Sequence, residues 1–145
     1  MARVPLAEAS ATYRLRVETT FAAAHNVVES NGKCERLHGH TWKVELFVLG
    51  EKAESNGMVI DFAVLKEALG KVTEKLDHTY LNEITEIGNP TSENIAKYIF
   101  DSLKKSLPHT PRLEKVRVWE SARSWCEYLG RENENRKNAR NRNSP

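Results

Sequence analysis

The chain has 145 residues and a formal charge of only +2, because 22 lysines and arginines are set against 20 aspartates and glutamates. Its length suits a single domain, and no stretch approaches the roughly 20 apolar residues that a membrane span needs. The first ten residues contain no apolar core of signal-peptide length, so we expect no export. Two cysteines, Cys34 and Cys126, cannot build a disulfide framework, which favours a cytoplasmic protein.

The basic charge is concentrated at the C-terminus. Residues 131–145 hold five basic and two acidic side chains, five asparagines and no aromatic residue. Such a segment buries too little apolar surface to offset its ordering entropy, so the sequence predicts a disordered tail after one domain at residues 1–130. That domain is close to neutral, which does not favour a surface for nucleic acid.

Two segments near the N-terminus alternate between apolar and polar side chains. Residues 13–21 and 40–48 each carry apolar residues at every second position, with Thr19 completing the first pattern, which predicts two half-buried strands. Asn31 and Gly32 between them are typical of a turn, so we expect a hairpin-like reversal.

The period then changes to that of a helix. Apolar residues from Phe62 to Leu76 recur at spacings of three and four, with Asp61 as the predicted N-cap. A second helix is predicted to begin at residues 90–92 and to end before Pro108. Two more strands are predicted, at residues 115–120 and around residues 125–129.

The resulting order of elements is β-β-α-α-β-β. It predicts an α+β fold in which an antiparallel sheet carries two helices on one face. Such a sheet leaves its edges and its other face uncovered, so we expect a homo-oligomer.

Three histidines are spaced to meet at one end of the predicted hairpin. His38 and His40 lie two residues apart, and therefore on one face of an extended segment, while His25 follows the first strand. Three neutral imidazoles with an open fourth position are the arrangement of catalytic zinc sites. Ordinary polar or core histidines remain the alternative at this point.

Cys34 and the Asp77-His78 pair are candidate proton-transfer groups. Cys34 lies four residues before His38 in a polar loop, where its thiolate could act as a base or nucleophile beside a metal. Asp77 and His78 end the first predicted helix and could form a proton relay. A histidine at that position also suits the helix dipole and cap, which spacing alone favours. Cys126 is interpreted as a small buried hydrophobe.

Glu120 lies at one of the alternate positions of its predicted strand whose side chains face inward. A buried carboxylate costs several kcal/mol unless it has a partner, and a ligand with paired N–H donors would supply one. A frayed strand end with a solvated carboxylate is the alternative. Thr91 and Glu93 are accounted for as a helix cap and a first-turn acid.

Taken together, these segments resemble the 6-pyruvoyl-tetrahydropterin synthase / 6-carboxytetrahydropterin synthase family. The resemblance runs in order over nearly the whole predicted domain, and several motifs in register make it specific. The matching segments are residues 21–25 (FAAAH), 34–40 (CERLHGH), 57–62 (GMVIDF), 76–78 (LDH), 81–82 (LN), 90–94 (PTSEN) and 119–121 (WES).

The resemblance implies the tunnelling fold (T-fold), in which subunits join their sheets into a barrel. The typical assembly is a hexamer made of two stacked trimers, with active sites between subunits. The resemblance also implies that His25, His38 and His40 are zinc (Zn²⁺) ligands. It implies that Cys34, Asp77 and His78 form the catalytic set. It further implies that Glu120 binds the pterin, with additional contacts from Thr91 and Glu93.

The spacing around Cys34 bears on the product. Its distance from His38 resembles the 6-carboxytetrahydropterin synthase type of queuosine biosynthesis, since the animal-type pyruvoyl enzymes have a longer spacing. Glu35 adds a Glu-x-x-His-Gly-His pattern that resembles the subgroup producing 6-hydroxymethyl-7,8-dihydropterin for folate. Holding both residues, the sequence is similar to the dual-motif subgroup.

The function implied is that of a zinc-dependent lyase acting on 7,8-dihydroneopterin triphosphate. The first expected products are 6-carboxy-5,6,7,8-tetrahydropterin, acetaldehyde and triphosphate, and the alternatives are the hydroxymethyl and pyruvoyl pterins. A rival from another class is a non-enzymatic RNA-associated protein whose zinc is closed by a fourth ligand, such as Cys34. That rival leaves Asp77, His78 and Glu120 unexplained.

Overall fold

The computed structural model describes residues 11–131, and these form five strands and two α-helices. In chain order the elements are β1 (Tyr13–His25), β2 (His38–Gly50), α1 (Phe62–Glu74), β3 (Thr79–Tyr80), α2 (Ser92–Ser106), β4 (Arg112–Ser121) and β5 (Ser124–Tyr128), with a 3-10 turn at Leu81–Glu83. The α+β class and the predicted element order are confirmed, with β3 added. Beyond Arg131, the predicted tail lies outside the described residues.

The strands form one sheet in the order β3-β1-β2-β4-β5. β1 and β2 pair antiparallel along their whole length, from Tyr13 opposite Gly50 to His25 opposite His38. β3 runs parallel to β1 beside Ala23 and Ala24 and makes the sheet mixed at this edge. The sequence does not predict β3, because two residues are too few to show an alternation.

The two helices cover one face of the sheet and bury the apolar side chains of that face. Phe21 on β1 and Trp42, Val44 and Leu46 on β2 are at most 2% exposed. Each such side chain contributes about 1.5–3 kcal/mol by its burial. The core is completed from the helices by Leu65, Leu69, Val72, Ile95, Ile99 and Leu103.

Both helices begin where the sequence predicts. The Asp61 carboxylate accepts a hydrogen bond from the backbone N–H of Ala63 at 2.8 Å. The Thr91 hydroxyl accepts one from the N–H of Asn94 at 3.2 Å. These two N-caps satisfy amides that the first turn leaves without a partner, and the second cap places the start of α2 beside the end of the hairpin.

The other face of the sheet is polar and carries ion pairs between strands. Glu45 on β2 is 3% exposed and accepts hydrogen bonds from Arg16 on β1 and Trp119 on β4. Burial alone would raise the pKa of the Glu45 carboxyl, but these two hydrogen bonds and the positive charges of Arg16 and Arg117 together outweigh it and hold the pKa below its ordinary value. The buried carboxylate is therefore ionised and links three neighbouring strands.

Strands β1 and β5 each have one edge that is largely or wholly without a strand partner among residues 11–131. β1 is paired on its outer side only at Ala23 and Ala24, and β5 is paired only with β4. Such edges expose backbone donors and acceptors that another sheet can pair with. Assembly through them stays a prediction.

Candidate metal and acid–base site

The three predicted histidine ligands lie together at one end of the β1–β2 hairpin. His25 pairs with His38 across the two strands, and His40 lies opposite Ala23. One ring nitrogen from each of the three lies within 4.8 Å of the other two. His25 is 1% exposed, and His38 and His40 are half-buried. Strand register thus produces the convergence that the sequence predicts.

Two of the imidazoles are oriented by backbone carbonyl groups. His25 Nδ1 donates to the Pro90 carbonyl at 2.8 Å, and His38 Nδ1 donates to the Arg36 carbonyl at 2.7 Å. Because a carbonyl oxygen can only accept, each Nδ1 carries the proton and each Nε2 of the neutral rings keeps a lone pair. The two Nε2 atoms lie 3.0 Å apart, where two acceptors cannot bond each other.

The third imidazole, that of His40, has a ring nitrogen that takes part in no hydrogen bond within the described residues. This nitrogen, Nε2, is buried. Burial is the chief cause that lowers the pKa of His40, and it outweighs the opposing effect of Glu120. Three imidazoles therefore converge through one ring nitrogen each, and a backbone carbonyl orients two of them, as is usual for metal-binding histidines. The residues present fit a metal ion.

Glu120 lies beside the histidine cluster. One of its carboxylate oxygens is 3.5 Å from His40 Nε2, and the other accepts a hydrogen bond of 3.4 Å from the Ser92 hydroxyl. Its side chain is 39% exposed, so it can still meet a ligand. Thr91 and Glu93 flank Ser92 at the start of α2, where Thr91 serves as the N-cap. The alternation of side chains along the strand predicts the direction of the Glu120 side chain. No sequence pattern predicts that Ser92 bonds to it.

Cys34 and Glu35 lie in the loop between β1 and β2. Cys34 is exposed and forms an isolated antiparallel bridge with Val28. The Glu35 carboxylate accepts a hydrogen bond from the Val27 N–H at 2.8 Å, and its charge acts on His40, where it slightly opposes the dominant effect of burial on the pKa. Cys34 is not part of the candidate metal-binding cluster, which among residues 11–131 consists of the three histidines.

Asp77 and His78 face each other in the turn after α1. His78 Nδ1 lies 2.9 Å from the Asp77 carboxylate, and His78 has φ = 56°, a left-handed conformation that is uncommon outside glycine. The backbone of Ala22 holds the turn, since its N–H donates to Asp77 at 2.8 Å and its carbonyl accepts from the His78 N–H at 2.6 Å. The Ala22 N–H, followed by His78, lowers the pKa of Asp77.

His78 and His40 line one open cleft of about 530 Å³, together with residues 22–24, Gly39, Thr41 and Thr79. The His78 side chain is 83% exposed. Within residues 11–131, no hydrogen bond or ion pair joins His78 to the three clustered histidines. Among the described residues, the predicted ligands and Glu120 therefore lie together, whereas Asp77 and His78 lie at the edge of β1 and reach the same cleft without a bond to the clustered histidines.

Comparison with known proteins places the chain in a family. A family model described as 6-pyruvoyl tetrahydropterin synthase matches residues 14–131. The chain belongs to this family. Its fold is that of a solved 6-pyruvoyl tetrahydropterin synthase from Caenorhabditis elegans, with a TM-score of 0.75 and 28% identity over 84% of this chain and 98% of that one. The predicted T-fold is confirmed.

Two sequence relatives carry different activities in their names. A 6-carboxy-5,6,7,8-tetrahydropterin synthase from Synechocystis is 39% identical over 117 residues, which cover 77% of this chain and 89% of the relative. A dihydroneopterin monophosphate aldolase from Pyrococcus furiosus is 40% identical over 107 residues, which cover 74% and 89%. Both names denote pterin-processing enzymes.

No helix of the described residues is long and apolar enough to cross a membrane.

Proposed function

We propose that the protein is a zinc-dependent lyase that converts 7,8-dihydroneopterin triphosphate and water into 6-carboxy-5,6,7,8-tetrahydropterin, acetaldehyde and triphosphate, in queuosine biosynthesis. The observation that carries the proposal is the convergence of three imidazole ring nitrogens, with the Nε2 atoms of His25 and His38 3.0 Å apart. The Synechocystis relative supports the choice of reaction.

His25, His38 and His40 would hold the zinc and leave its fourth position open. In that position a zinc ion would polarise the hydroxyl groups of the substrate's side chain and make the adjacent C–H bonds more acidic. Glu120 would accept the paired N–H donors of the pterin's amino-pyrimidinone edge. Its carboxylate lies at the cluster and is partly exposed. Thr91 and Glu93 would add contacts from the start of α2.

Cys34 and the Asp77-His78 pair would move protons. Cys34, as a thiolate, would take a proton from a side-chain carbon of the substrate. Asp77 holds the proton of His78 on Nδ1, so His78 Nε2 is left to accept a proton and to return it at another carbon or oxygen. Since His78 is exposed and no hydrogen bond or ion pair within residues 11–131 joins it to the histidine cluster, we propose that a second copy completes the site.

A second candidate reaction uses Glu35. The carboxylate of Glu35 acts electrostatically on His40, and the Pyrococcus furiosus relative is named as an aldolase of dihydroneopterin monophosphate. In this reaction Glu35 would be the base, and the product would be 6-hydroxymethyl-7,8-dihydropterin for folate. The non-enzymatic rival with Cys34 as a fourth zinc ligand has no support in the cluster, which does not contain Cys34.

Product analysis tests the proposal. The purified protein with zinc is incubated with 7,8-dihydroneopterin triphosphate, and the products are identified by mass spectrometry. Carboxy-pterin with acetaldehyde supports the first reaction, and hydroxymethyl-dihydropterin supports the second. Cys34→Ala should abolish the first and Glu35→Ala the second, with Cys126→Ala as the matched control. Recovery of unaltered substrate would refute both proposed reactions.

Mixed oligomers test the shared site. Cys34→Ala and Asp77→Asn chains are each expected to be inactive by themselves. If one site takes these residues from two copies, chains unfolded and refolded together should recover part of the activity, while either variant refolded alone should not. No recovery in oligomers shown to contain both chains would place the complete site within one chain.

A further inference from the structure

The loop that follows β1 is held by two asparagine side chains, Asn82 and Asn89, which we call the asparagine clamp. Asn82 accepts a hydrogen bond from the Asn26 N–H at 3.0 Å and donates one to the Asn26 carbonyl at 2.7 Å. Asn89 makes the same two bonds to Val28, both at 2.9 Å. A side-chain amide offers one acceptor and one donor, so each asparagine satisfies both backbone groups of one loop residue.

The loop residue between the two clamped positions is held by Glu35. The Val27 N–H donates to the Glu35 carboxylate at 2.8 Å, and the Val27 carbonyl accepts from the Glu35 N–H at 3.0 Å. Three consecutive residues, Asn26, Val27 and Val28, are therefore bonded at every backbone donor and acceptor. The clamp thus determines where Glu35 lies, and with it the neighbouring Cys34.

The clamp also reaches the candidate metal ligand His25. Asn89 directly precedes Pro90, whose carbonyl accepts the hydrogen bond from His25 Nδ1 at 2.8 Å. Asn94 donates to the carbonyl of Asn89 at 2.8 Å and ties this segment to the first turn of α2. The same two-residue segment therefore holds the backbone after His25 and orients its imidazole.

Asn82 joins the acid–base pair to the same loop. It lies four residues after His78 in a segment that runs along the edge of β1, where β3 pairs with Ala23 and Ala24. Two residues before it, the Tyr80 hydroxyl donates to the Asn26 side chain. The segment that follows the Asp77-His78 turn is thus bonded to both the backbone and the side chain of Asn26, the residue after His25.

We propose that Asn82 and Asn89 are positioning residues, which hold His25 and the Cys34–Glu35 loop in the geometry that metal binding and proton transfer require. This inference rests on the proposed metal site. Residues that orient metal-binding imidazoles alter metal affinity or activity by about 10- to 100-fold when they are changed. The asparagine clamp acts one bond further out, through the backbone of residues 26 and 90.

Cobalt binding tests the clamp without relying on turnover. The full-length, metal-free protein is titrated with Co²⁺ and its visible absorption spectrum is recorded, for the wild type and for Asn82→Ala and Asn89→Ala. The matched control is Asn56→Ala, which also removes a side-chain bond to a loop N–H, that of Met58 at 3.0 Å, in the segment between β2 and α1. We expect the dissociation constant for Co²⁺ to be about 10- to 100-fold higher for the clamp variants than for the wild type, with altered absorption bands. The control should bind Co²⁺ about as tightly as the wild type does.

The outcomes separate the clamp from the proposed function. If the wild type and both clamp variants bind Co²⁺ equally and with the same spectrum, the clamp inference is overturned, even where the melting temperature falls, since a merely structural role predicts that pattern. If the wild type binds no Co²⁺, the zinc site and the clamp are both overturned. Should an alanine variant not fold, Asn→Asp at the same position replaces it, because Asp keeps the acceptor oxygen and puts a second acceptor oxygen in place of the donor, against the backbone carbonyl.

Discussion

Replacing Asp77 by asparagine would test the acid–base pair with little change in shape. In the wild type one carboxylate oxygen accepts from the Ala22 N–H at 2.8 Å, and the other lies 2.9 Å from His78 Nδ1. In Asp77→Asn the amide oxygen can still accept from Ala22, but the amide nitrogen then faces His78. Because that nitrogen donates, His78 Nδ1 must accept, and the imidazole proton moves to Nε2.

The expected effect is on the chemical step. With a proton on Nε2, His78 can no longer accept one from the substrate at its exposed nitrogen. A positioned proton-transfer group contributes about 10²- to 10⁴-fold, so we expect kcat to fall by about that factor. The metal content should not change, since Asp77 contacts none of the three clustered histidines, and the retained Ala22 bond should keep the turn in place.

The assay is steady-state release of acetaldehyde from 7,8-dihydroneopterin triphosphate, together with zinc analysis of each variant. Asp101→Asn is the matched control, because Asp101 is a partly exposed carboxylate that pairs with Lys97 at 2.8 Å on α2, a pairing unrelated to the proposed site. A kcat for Asp77→Asn that stays within about threefold of the wild type would refute the proton-relay role. The low pKa of Asp77, caused first by the Ala22 N–H, keeps its carboxylate ionised below the ordinary value of 3.8, so an acid limb above that pH belongs to another group.

Three further predictions concern the metal, the pterin and acid stability. His40→Ala should lose zinc by elemental analysis while His109→Ala keeps it; zinc retained in both would make the ligand assignment wrong. Glu120→Gln should raise KM by about 10- to 150-fold, because a hydrogen bond to a charged group is worth about 1.5–3 kcal/mol, whereas the exposed control Glu86→Gln should not. The folded-state pKa of Glu45 is lowered, so its stabilising contribution is present above the ordinary Glu value of 4.5 and is lost as the pH falls through the folded-state pKa. Urea unfolding at pH 7 and pH 3 should therefore show a smaller loss of stability for Glu45→Gln than for the wild type, and equal losses would contradict this.

Local patterns predict those parts of the fold and site that local physics determines. Asp61 and Thr91 are identifiable as N-caps because the cap, its amide and the apolar period lie within a few residues. His38 and His40 share a face because alternate residues of a strand do. For the same reason the direction of Glu120 follows from Val116 and Val118.

Contacts between distant segments leave no such pattern. Asn82 and Asn26 are 56 residues apart, and Asn89 and Val28 are 61 apart, so neither pair produces a period or a spacing that can be recognised. β3 leaves no pattern either, since it has only two residues, and these pair with β1 next to the point where the Asp77-His78 turn is bound to Ala22. The different engagement of Cys34 and Glu35, one exposed and one bound to Val27, also depends on how the whole loop packs.

The histidine cluster follows from the register of β1 against β2, and the hydrophobic pattern selects that register. The pairing that places His38 opposite His25 also buries Trp42, Val44 and Leu46 under the helices. A slip of one residue would turn these three side chains to the polar face, and with them His38 and His40, since side chains alternate along a strand. Each buried side chain contributes about 1.5–3 kcal/mol, so the core opposes such a slip far more strongly than any single contact within the cluster could. The ring centroids of His25 and His40 lie 4.9 and 5.1 Å from that of Trp42, so the candidate metal ligands are continuous with the core that holds the register.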